Sequence, residues 1–321
     1  MDTLIRNAVD IPVGTPTPAV SFSPVVLPAP GRPVDLEMRV TAPATGRDLP
    51  VILLSHGHGN SNYLASLRGY GPLVDFYAAH GFVVIQPTHL SSKTLSGVVD
   101  PNGPEGPLFW RSRAEDMRRI LDGLDAVEAA VPGLGGRLDR GRVAVVGHSL
   151  GGHTAALLLG MRVTDPSDGT VVDLADARVK AGLVLAGPGG GAGFNGPAAE
   201  RFPALRNPDF AAMTAPALVV AGDKDLNPRF SDRVDWRAES YVLSPGPKCL
   251  LMVFGGEHIL GGISGYDAAE TTDESPERVA LVQRLTWAYL RTALYPDDTA
   301  WPASRAALAD APEPPGRIEC K

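Results

Sequence analysis

The sequence predicts an α/β fold in which a mostly parallel central sheet is flanked by helices, and three patterns in its 321 residues lead to this prediction. Continuous apolar runs recur along the chain, as is typical of strands that are buried on both faces. Segments with apolar residues at helical spacing lie between these runs. More than half of the 36 glycines fall in five short stretches that follow predicted strands. Alternating strands and helices of this kind form a parallel sheet with right-handed crossovers.

The individual elements follow from these patterns in chain order. Residues 1–48 are predicted as a β-rich N-terminal segment, with a hairpin formed by Ala19–Leu27 and 34–42. The predicted buried strands are 51–54, 82–85, 143–146, 181–186, 217–220 and 250–254. The predicted helices are 112–130, 150–161 and 275–294, and residues 295–321 are expected to form an irregular C-terminal tail. Because no linker separates two cores, we expect a single domain over 1–321 without a large lid domain.

Composition and charge exclude several classes of protein. Apolar residues make up 44% of the chain, which argues against a disordered protein. The net charge of -7 argues against a nucleic-acid-binding surface. No apolar stretch is long enough for a transmembrane helix. Residues 1–14 contain no apolar signal-peptide core, so a cytoplasmic location is expected. The two cysteines, Cys249 and Cys320, permit one disulfide but do not imply it, and they are expected to be free thiols, with Cys249 buried.

The strongest chemical signal is the segment G-H-S-L-G-G at 147–152, which follows an apolar strand and precedes an apolar helix. A sharp strand-to-helix turn at this point would expose the hydroxyl group of Ser149. The glycines on either side remove side chains that would collide in such a turn. The sequence therefore predicts that Ser149 is a nucleophile at a helix N-terminus.

A nucleophilic serine needs a base, and the base needs a carboxylate that orients it. His258 follows the predicted strand 250–254, and Asp223 and Asp225 both follow the predicted strand 217–220. Asp225 is the preferred acid because it lies farther beyond the strand, whereas Asp223 is better placed to bond turn amides. The predicted catalytic residues are Ser149, His258 and Asp225.

The segment S-H-G-H-G at 55–59 follows the first buried strand. Acyl transfer requires donors for the developing oxyanion, and the backbone N–H groups of His58 and Leu150 are the predicted pair. His56 and His58 could also be interpreted as metal ligands, but no cysteine or acidic residue stands at ligand spacing, so no metal is expected. His148 and His153 are interpreted as packing or hydrogen-bonding residues.

Residues near position 110 offer a possible pocket wall. Phe109 and Trp110, together with Gly57, are candidates for the substrate pocket, and core burial is the alternative for the two aromatic residues. Arg111, Arg113 and Asp116 are interpreted as members of a structural salt bridge.

With Ser149 in its turn, Asp225 and His258, residues 34–294 resemble the α/β-hydrolase superfamily. The motifs at 56–59 and 147–152 resemble those of serine esterases of the chlorophyllase, platelet-activating-factor acetylhydrolase-like, cutinase-like and dienelactone-hydrolase-like groups. The resemblance implies cleavage of carboxylic esters through an acyl-enzyme without a cofactor, and a small-molecule or lipid-like ester as substrate. An acyltransferase with the same three residues and a non-catalytic binding protein of the same fold are the alternatives.

Overall fold

The computed structural model describes residues 11–103, 105–266 and 268–321. Residues 1–10, part of the predicted N-terminal segment, lie outside these ranges. The strands are β1 (Ala19–Leu27), β2 (Leu36–Pro43), β3 (Leu49–Ser55), β4 (Val83–Pro87), β5 (Leu138–His148), β6 (Arg162–Thr164), β7 (Val171–Asp173), β8 (Val179–Leu185), β9 (Pro208–Asp209), β10 (Ala217–Gly222), β11 (Lys248–Val253) and β12 (Gly316–Cys320).

The helices follow the strands of the main sheet and cover its two faces. They are α1 (Asn62–Ala65), α2 (Gly71–Ala79), α3 (Trp110–Asp122), α4 (Leu124–Ala130), α5 (Leu150–Leu158), α6 (Ala198–Arg201), α7 (Glu239–Leu243), α8 (Pro276–Leu294) and α9 (Ala300–Ala309). Short 3-10 turns occur at Lys93–Leu95, Gly191–Gly193, Pro203–Leu205, Phe210–Ala212 and Val234–Ala238.

The main sheet has nine strands in the order β1-β2-β4-β3-β5-β8-β10-β11-β12. The six strands from β4 to β11 in this order are mutually parallel, while β1, β2 and β12 pair in antiparallel fashion. Because the parallel strands point the same way, the residues that follow them meet at one edge of the sheet. The predicted site residues all follow such strands.

Side chains along the central strands alternate between two hydrophobic clusters, one on each face of the sheet. In β3, Val51 and Leu53 belong to one cluster, and Ile52 and Leu54 belong to the other. The helices α3, α4 and α5 contribute to the first cluster, and α2, α8 and α9 contribute to the second. Burial of both faces explains why these strands read as continuous apolar runs in the sequence.

Three segments differ from the sequence prediction. The predicted helix 112–130 is two helices, α3 and α4, which meet at Gly123. A Cβ atom at Gly123 would lie 2.8 Å from Leu27 Cδ1, so the junction packs tightly against β1. The predicted irregular tail instead contains α9 and β12, and β12 forms the last strand of the main sheet. A small three-stranded sheet, β7-β6-β9, was not predicted.

The expectation of free thiols is wrong, because Cys249 and Cys320 form a disulfide. The antiparallel pairing of β11 with β12 places these residues directly opposite each other, with Cα atoms 4.0 Å apart. The missed strand β12 is the reason for the error, since a cysteine in an irregular tail has no fixed neighbour. In the described ranges, no helix combines the length and the apolar character that crossing a bilayer requires.

Candidate active site

Ser149 lies at the turn between β5 and α5 with a backbone conformation that non-glycine residues rarely adopt (φ 55°, ψ −120°). Its N–H group donates to the carbonyl oxygen of Leu185 at 2.8 Å. A Cβ atom at Gly147 would lie 1.8 Å from the carbonyl oxygen of Gly151, and one at Gly151 would lie 2.0 Å from that of Ser55. Strain of this kind costs about 1–3 kcal/mol and persists only where the surrounding structure enforces it. Here close backbone packing enforces it.

A chain of hydrogen bonds connects Ser149, His258 and Asp225. The Ser149 Oγ atom lies 2.9 Å from His258 Nε2, and His258 Nδ1 lies 2.8 Å from Asp225 Oδ2. The His258 side chain is 28% exposed, whereas that of Asp225 is 1% exposed. Asp223 lies elsewhere in the turn, where its Oδ1 atom accepts a hydrogen bond from the N–H of Gly255 at 2.7 Å. The structure therefore brings together the three residues that the sequence singled out.

Arg237 is a neighbour of Asp225 that the sequence analysis missed. Its Nε atom lies 3.3 Å from Asp225 Oδ2, and its guanidinium group stacks on the Trp236 ring at 4.6 Å. Burial alone would raise the pKa of Asp225, but the charges of His258 and Arg237 outweigh it and lower the pKa to about 2. Asp225 is therefore ionised at neutral pH and can hold the imidazole in one orientation.

The side chain of His56 holds a peptide group of the loop after β3. The N–H group of His89 donates to His56 Nε2 at 3.0 Å, so in the neutral ring the proton is on Nδ1, which lies 2.6 Å from the Gly57 carbonyl oxygen. This bond turns the Gly57 carbonyl toward His56, and the N–H group of His58 in the same trans peptide points the opposite way. Leu150 is the first residue of α5, so its N–H group has no partner within the helix.

A second chain of hydrogen bonds connects this loop to the backbone of His258. The Gly57 N–H donates to Tyr70 Oη, which lies 2.9 Å from His148 Nδ1, and His148 Nε2 lies 2.8 Å from the His258 carbonyl oxygen. Burial lowers the pKa of His148 to about 3, so its ring is neutral. Because a carbonyl only accepts, Nε2 of His148 carries the proton and Nδ1 accepts from Tyr70. His148 is thus a hydrogen-bonding residue that links both loops of the site.

Arg113 is buried below the β3 loop, and its hydrogen-bond acceptors within the described residues are neutral oxygen atoms. It donates to Thr154 Oγ1 at 3.0 Å, to Ser91 Oγ at 2.6 Å, to Ser55 Oγ at 3.1 Å and to the His56 carbonyl oxygen. Burial lowers the pKa of Arg113 to about 9.

The predicted salt bridge among Arg111, Arg113 and Asp116 is divided differently in the structure. Asp116 pairs with Arg32 at 3.0 Å and contacts His89 at 2.9 Å, while Arg111 pairs with Asp165 at 2.6 Å. In the described ranges, Arg113 forms no ion pair. Asp116 also lies 3.6 Å from Arg119 on the same helix, a pair that helical spacing allows, whereas Arg32 and His89 come from distant segments that the sequence pattern cannot reveal.

Ser149 and His258 open into a cavity of about 690 Å³, which His58 and Leu150 also line. Three aromatic side chains, Phe202, Phe230 and Trp236, form part of its wall. The candidate pocket residues Gly57, Phe109 and Trp110 are absent from the described lining. Each is buried elsewhere: Gly57 against Leu64 and Tyr70, Phe109 with Leu90 and Val99, and Trp110 with its ring 6.4 Å from that of His153. The aromatic wall comes instead from 202–236, a segment without a periodic pattern of apolar residues.

The architecture is the α/β-hydrolase fold, with a mostly parallel sheet, a serine at the strand-to-helix turn after β5 and helices on both faces. A family model described as X-Pro dipeptidyl-peptidase (S15 family) matches residues 31–169, which include β2 to β5 and the Ser149 turn. No curated protein matches the chain. The fold and this match support a serine hydrolase of the α/β-hydrolase type, and the matched segment ends before Asp225 and His258.

Proposed function

We propose that this chain is a serine carboxylic-ester hydrolase that works through an acyl-enzyme intermediate. The observation that carries the proposal is the hydrogen-bonded chain from Ser149 through His258 to Asp225, which opens into a cavity with an aromatic wall. Such a chain activates a serine hydroxyl because the imidazole accepts its proton as the new bond forms.

In the proposed mechanism, Ser149 Oγ attacks the ester carbonyl carbon while His258 Nε2 takes the hydroxyl proton. The tetrahedral oxyanion accepts hydrogen bonds from the N–H groups of His58 and Leu150. His258 then donates its proton to the departing alcohol oxygen, which leaves an acyl group on Ser149. A water molecule, deprotonated by His258, attacks the acyl carbon, and His258 returns that proton to Ser149 Oγ as the bond to the acyl group breaks and the acid is released. Asp225 stays ionised and stabilises the imidazolium in both halves of the reaction.

Peptide hydrolysis is the second candidate, because the family match is to an X-Pro dipeptidyl-peptidase. An enzyme that removes dipeptides must recognise a free N-terminal ammonium group, for which carboxylates are the natural partners. The carboxylates that line the cavity are already engaged: Asp225 with His258, Glu270 with the amides of Asn60 and Ser61, and Glu257 with Thr272. This disfavours removal of an N-terminal dipeptide, and we therefore propose an ester as the substrate.

The experiment compares p-nitrophenyl esters of increasing acyl length with an X-Pro p-nitroanilide. We expect turnover of at least one ester, no cleavage of the anilide, and a fall in kcat of at least about a thousandfold in Ser149→Ala. A kcat/KM for the anilide above that for every ester would establish the peptidase instead. Ester turnover that survives in Ser149→Ala would remove Ser149 from the mechanism.

A further inference from the structure

The net charge of the residues that line the cavity is opposite in sign to the net charge of the whole protein. The chain carries a net charge of -7. The cavity, in contrast, is lined by five cationic residues and three acidic ones, and one of each, Arg237 and Asp225, pair with each other. Among the described residues, the lining cations without an ion pair are Lys93, Arg201, Lys224 and Arg229, and the remaining acids are Glu257 and Glu270.

The carboxylates of the two remaining acids accept hydrogen bonds from loops of the protein. Glu270 Oε1 accepts from the N–H groups of Asn60 and Ser61 at 3.0 Å and 2.9 Å, and its Oε2 accepts from Ser61 Oγ at 2.6 Å. The Glu257 carboxylate accepts a hydrogen bond from the Thr272 hydroxyl. Within the described residues, neither glutamate forms an ion pair with a lining cation.

The four cations come from three segments that converge on the cavity, because Lys224 and Arg229 share the loop after β10. Lys93 donates to the Asn60 side-chain oxygen, and the Arg201 guanidinium lies 5.5 Å from the centre of the Phe202 ring. In the part of the chain that the structure describes, the side chains of Lys224 and Arg229 have no polar partner, although both line the cavity. Several arginines outside the cavity are paired, as Arg178 is with Asp176 at 2.6 Å. Cations left unpaired around a concave site attract anions, because the surrounding protein focuses their field.

The aromatic wall supplies the apolar half of a binding site. Phe202 stacks on Phe230 with ring centres 6.3 Å apart, Phe230 on Phe194 at 6.2 Å, and Phe194 on Trp236 at 5.6 Å. All but Phe194 line the cavity, beside the unpaired cations. An apolar wall with a few charged groups around it selects a ligand that has an apolar body and one charged end.

We propose that the substrate is an ester with an apolar body and an anionic group, such as a carboxylate, remote from the scissile bond. This inference rests on the proposed ester hydrolysis at Ser149. The apolar body lies along the aromatic wall, and the anion pairs with Arg201, Lys224 or Arg229. Lys93 adds to the same positive field. The acyl part or the alcohol part of the ester could carry the charge, because the cations flank both the His58 loop and the loop that follows Asp225.

The test uses matched ester pairs that differ in charge and hardly in size. For the acyl part, mono-p-nitrophenyl suberate is compared with p-nitrophenyl octanoate. For the alcohol part, 4-carboxyphenyl octanoate is compared with 4-carbamoylphenyl octanoate. We expect kcat/KM for the anionic ester to exceed that of its neutral match about tenfold in at least one pair. Raising the ionic strength to about 1 M, where the screening length is about 3 Å, should remove most of the preference.

Substitution of the lining cations then tests whether they cause the preference for anionic esters. In the variant Arg201→Gln/Lys224→Gln/Arg229→Gln, the ratio of kcat/KM for the anionic ester to kcat/KM for its neutral match should fall toward one. Arg206→Gln is the matched control, because Arg206 is an exposed arginine close to Arg201 that is absent from the described lining, and it should keep the wild-type ratio.

The outcomes separate this inference from the proposed function. Neutral esters hydrolysed with no anionic preference in either pair would overturn the inference and leave the esterase intact. A preference that persists in the triple variant would also overturn it. No turnover of any ester would refute ester hydrolysis and the inference with it.

Discussion

Arg113 carries its positive charge in the protein interior, where a guanidinium group is costly without a carboxylate partner. Its donors contact the oxygens of Ser55, Ser91 and Thr154 and the carbonyl of His56. It therefore joins the loop after β3 to the start of α5, the two elements whose amides we assign to the oxyanion. A buried cation with four such contacts is well suited to hold these elements in register.

We expect Arg113→Met to lower the free energy of unfolding by about 3 kcal/mol, because it leaves four oxygen atoms without their donor. Among the molecules that stay folded, kcat should fall while KM changes little, since the oxyanion donors lose their alignment. Urea unfolding and steady-state ester kinetics measure the two effects.

Arg118→Gln is the control for Arg113, because it lies on the same helix and is exposed. Arg113→Lys keeps the charge and loses the forked geometry, so it should restore only part of kcat. A kcat in Arg113→Met equal to that of the wild type would show that Arg113 has no positioning role.

At the residue scale, the sequence was most informative where backbone geometry restricts residue type. Ser149 could be singled out because its turn admits only glycine at 147 and 151. The choice of Asp225 over Asp223 followed from its distance beyond the strand. Tyr70 could not be found this way, because its partner His148 lies 78 positions away and only the folded sheet brings them together.

The turn that carries Ser149 is the element on which the site depends. We expect Gly151→Ala to destabilise the fold by about 3 kcal/mol and to abolish ester turnover, because the added methyl group would overlap the backbone of Ser55. Thermal unfolding and ester kinetics measure the result.

Gly135→Ala provides the control, since a Cβ atom at Gly135 would meet nothing within 4 Å. It should leave stability and activity close to those of the wild type. If Gly151→Ala were as stable and as active as Gly135→Ala, the close approach of the turn to β3 would be refuted.

Among the elements, the buried strands were predicted well because burial on both faces gives unbroken apolar runs. The predicted 217–220 lies within β10, and 51–54 lies within β3. Strand β12 was missed because its sequence, G-R-I-E-C, is short and polar and lies at the sheet edge. The break at Gly123 was missed because helical spacing continues across it, and the close approach of Gly123 to Leu27 of β1 cannot be read from that spacing.

At the scale of the whole molecule, the disulfide ties the C-terminal strand to the sheet across a sequence separation of 71 residues. Disulfides persist in oxidising compartments, so this bond favours such a compartment over the cytoplasmic location expected from residues 1–14.

The main sheet runs from β1 to β12 and so includes strands from both ends of the described chain. The single domain remains a prediction, for which one cooperative unfolding transition is the expected result.

Cys249→Ser/Cys320→Ser should be less stable than the wild type by about 2–4 kcal/mol, because the unfolded chain regains the freedom that the cross-link removed. Ester turnover by the folded variant should remain, since neither cysteine is in the described lining of the cavity. Denaturant unfolding with and without reductant measures the effect. Reductant should destabilise the wild type and leave the double variant unchanged, whereas two titratable thiols in the unreduced, unfolded wild type would contradict the bond.

The proposed function requires Ser149 to be the activated nucleophile. A fluorophosphonate probe followed by peptide mass spectrometry tests it most directly. We expect one adduct, on the peptide that contains Ser149, with labelling lost in Ser149→Ala, strongly slowed in His258→Ala and retained in Ser304→Ala, which removes a buried hydroxyl from α9. Undiminished labelling of Ser149→Ala, or an adduct on another serine, would contradict the account.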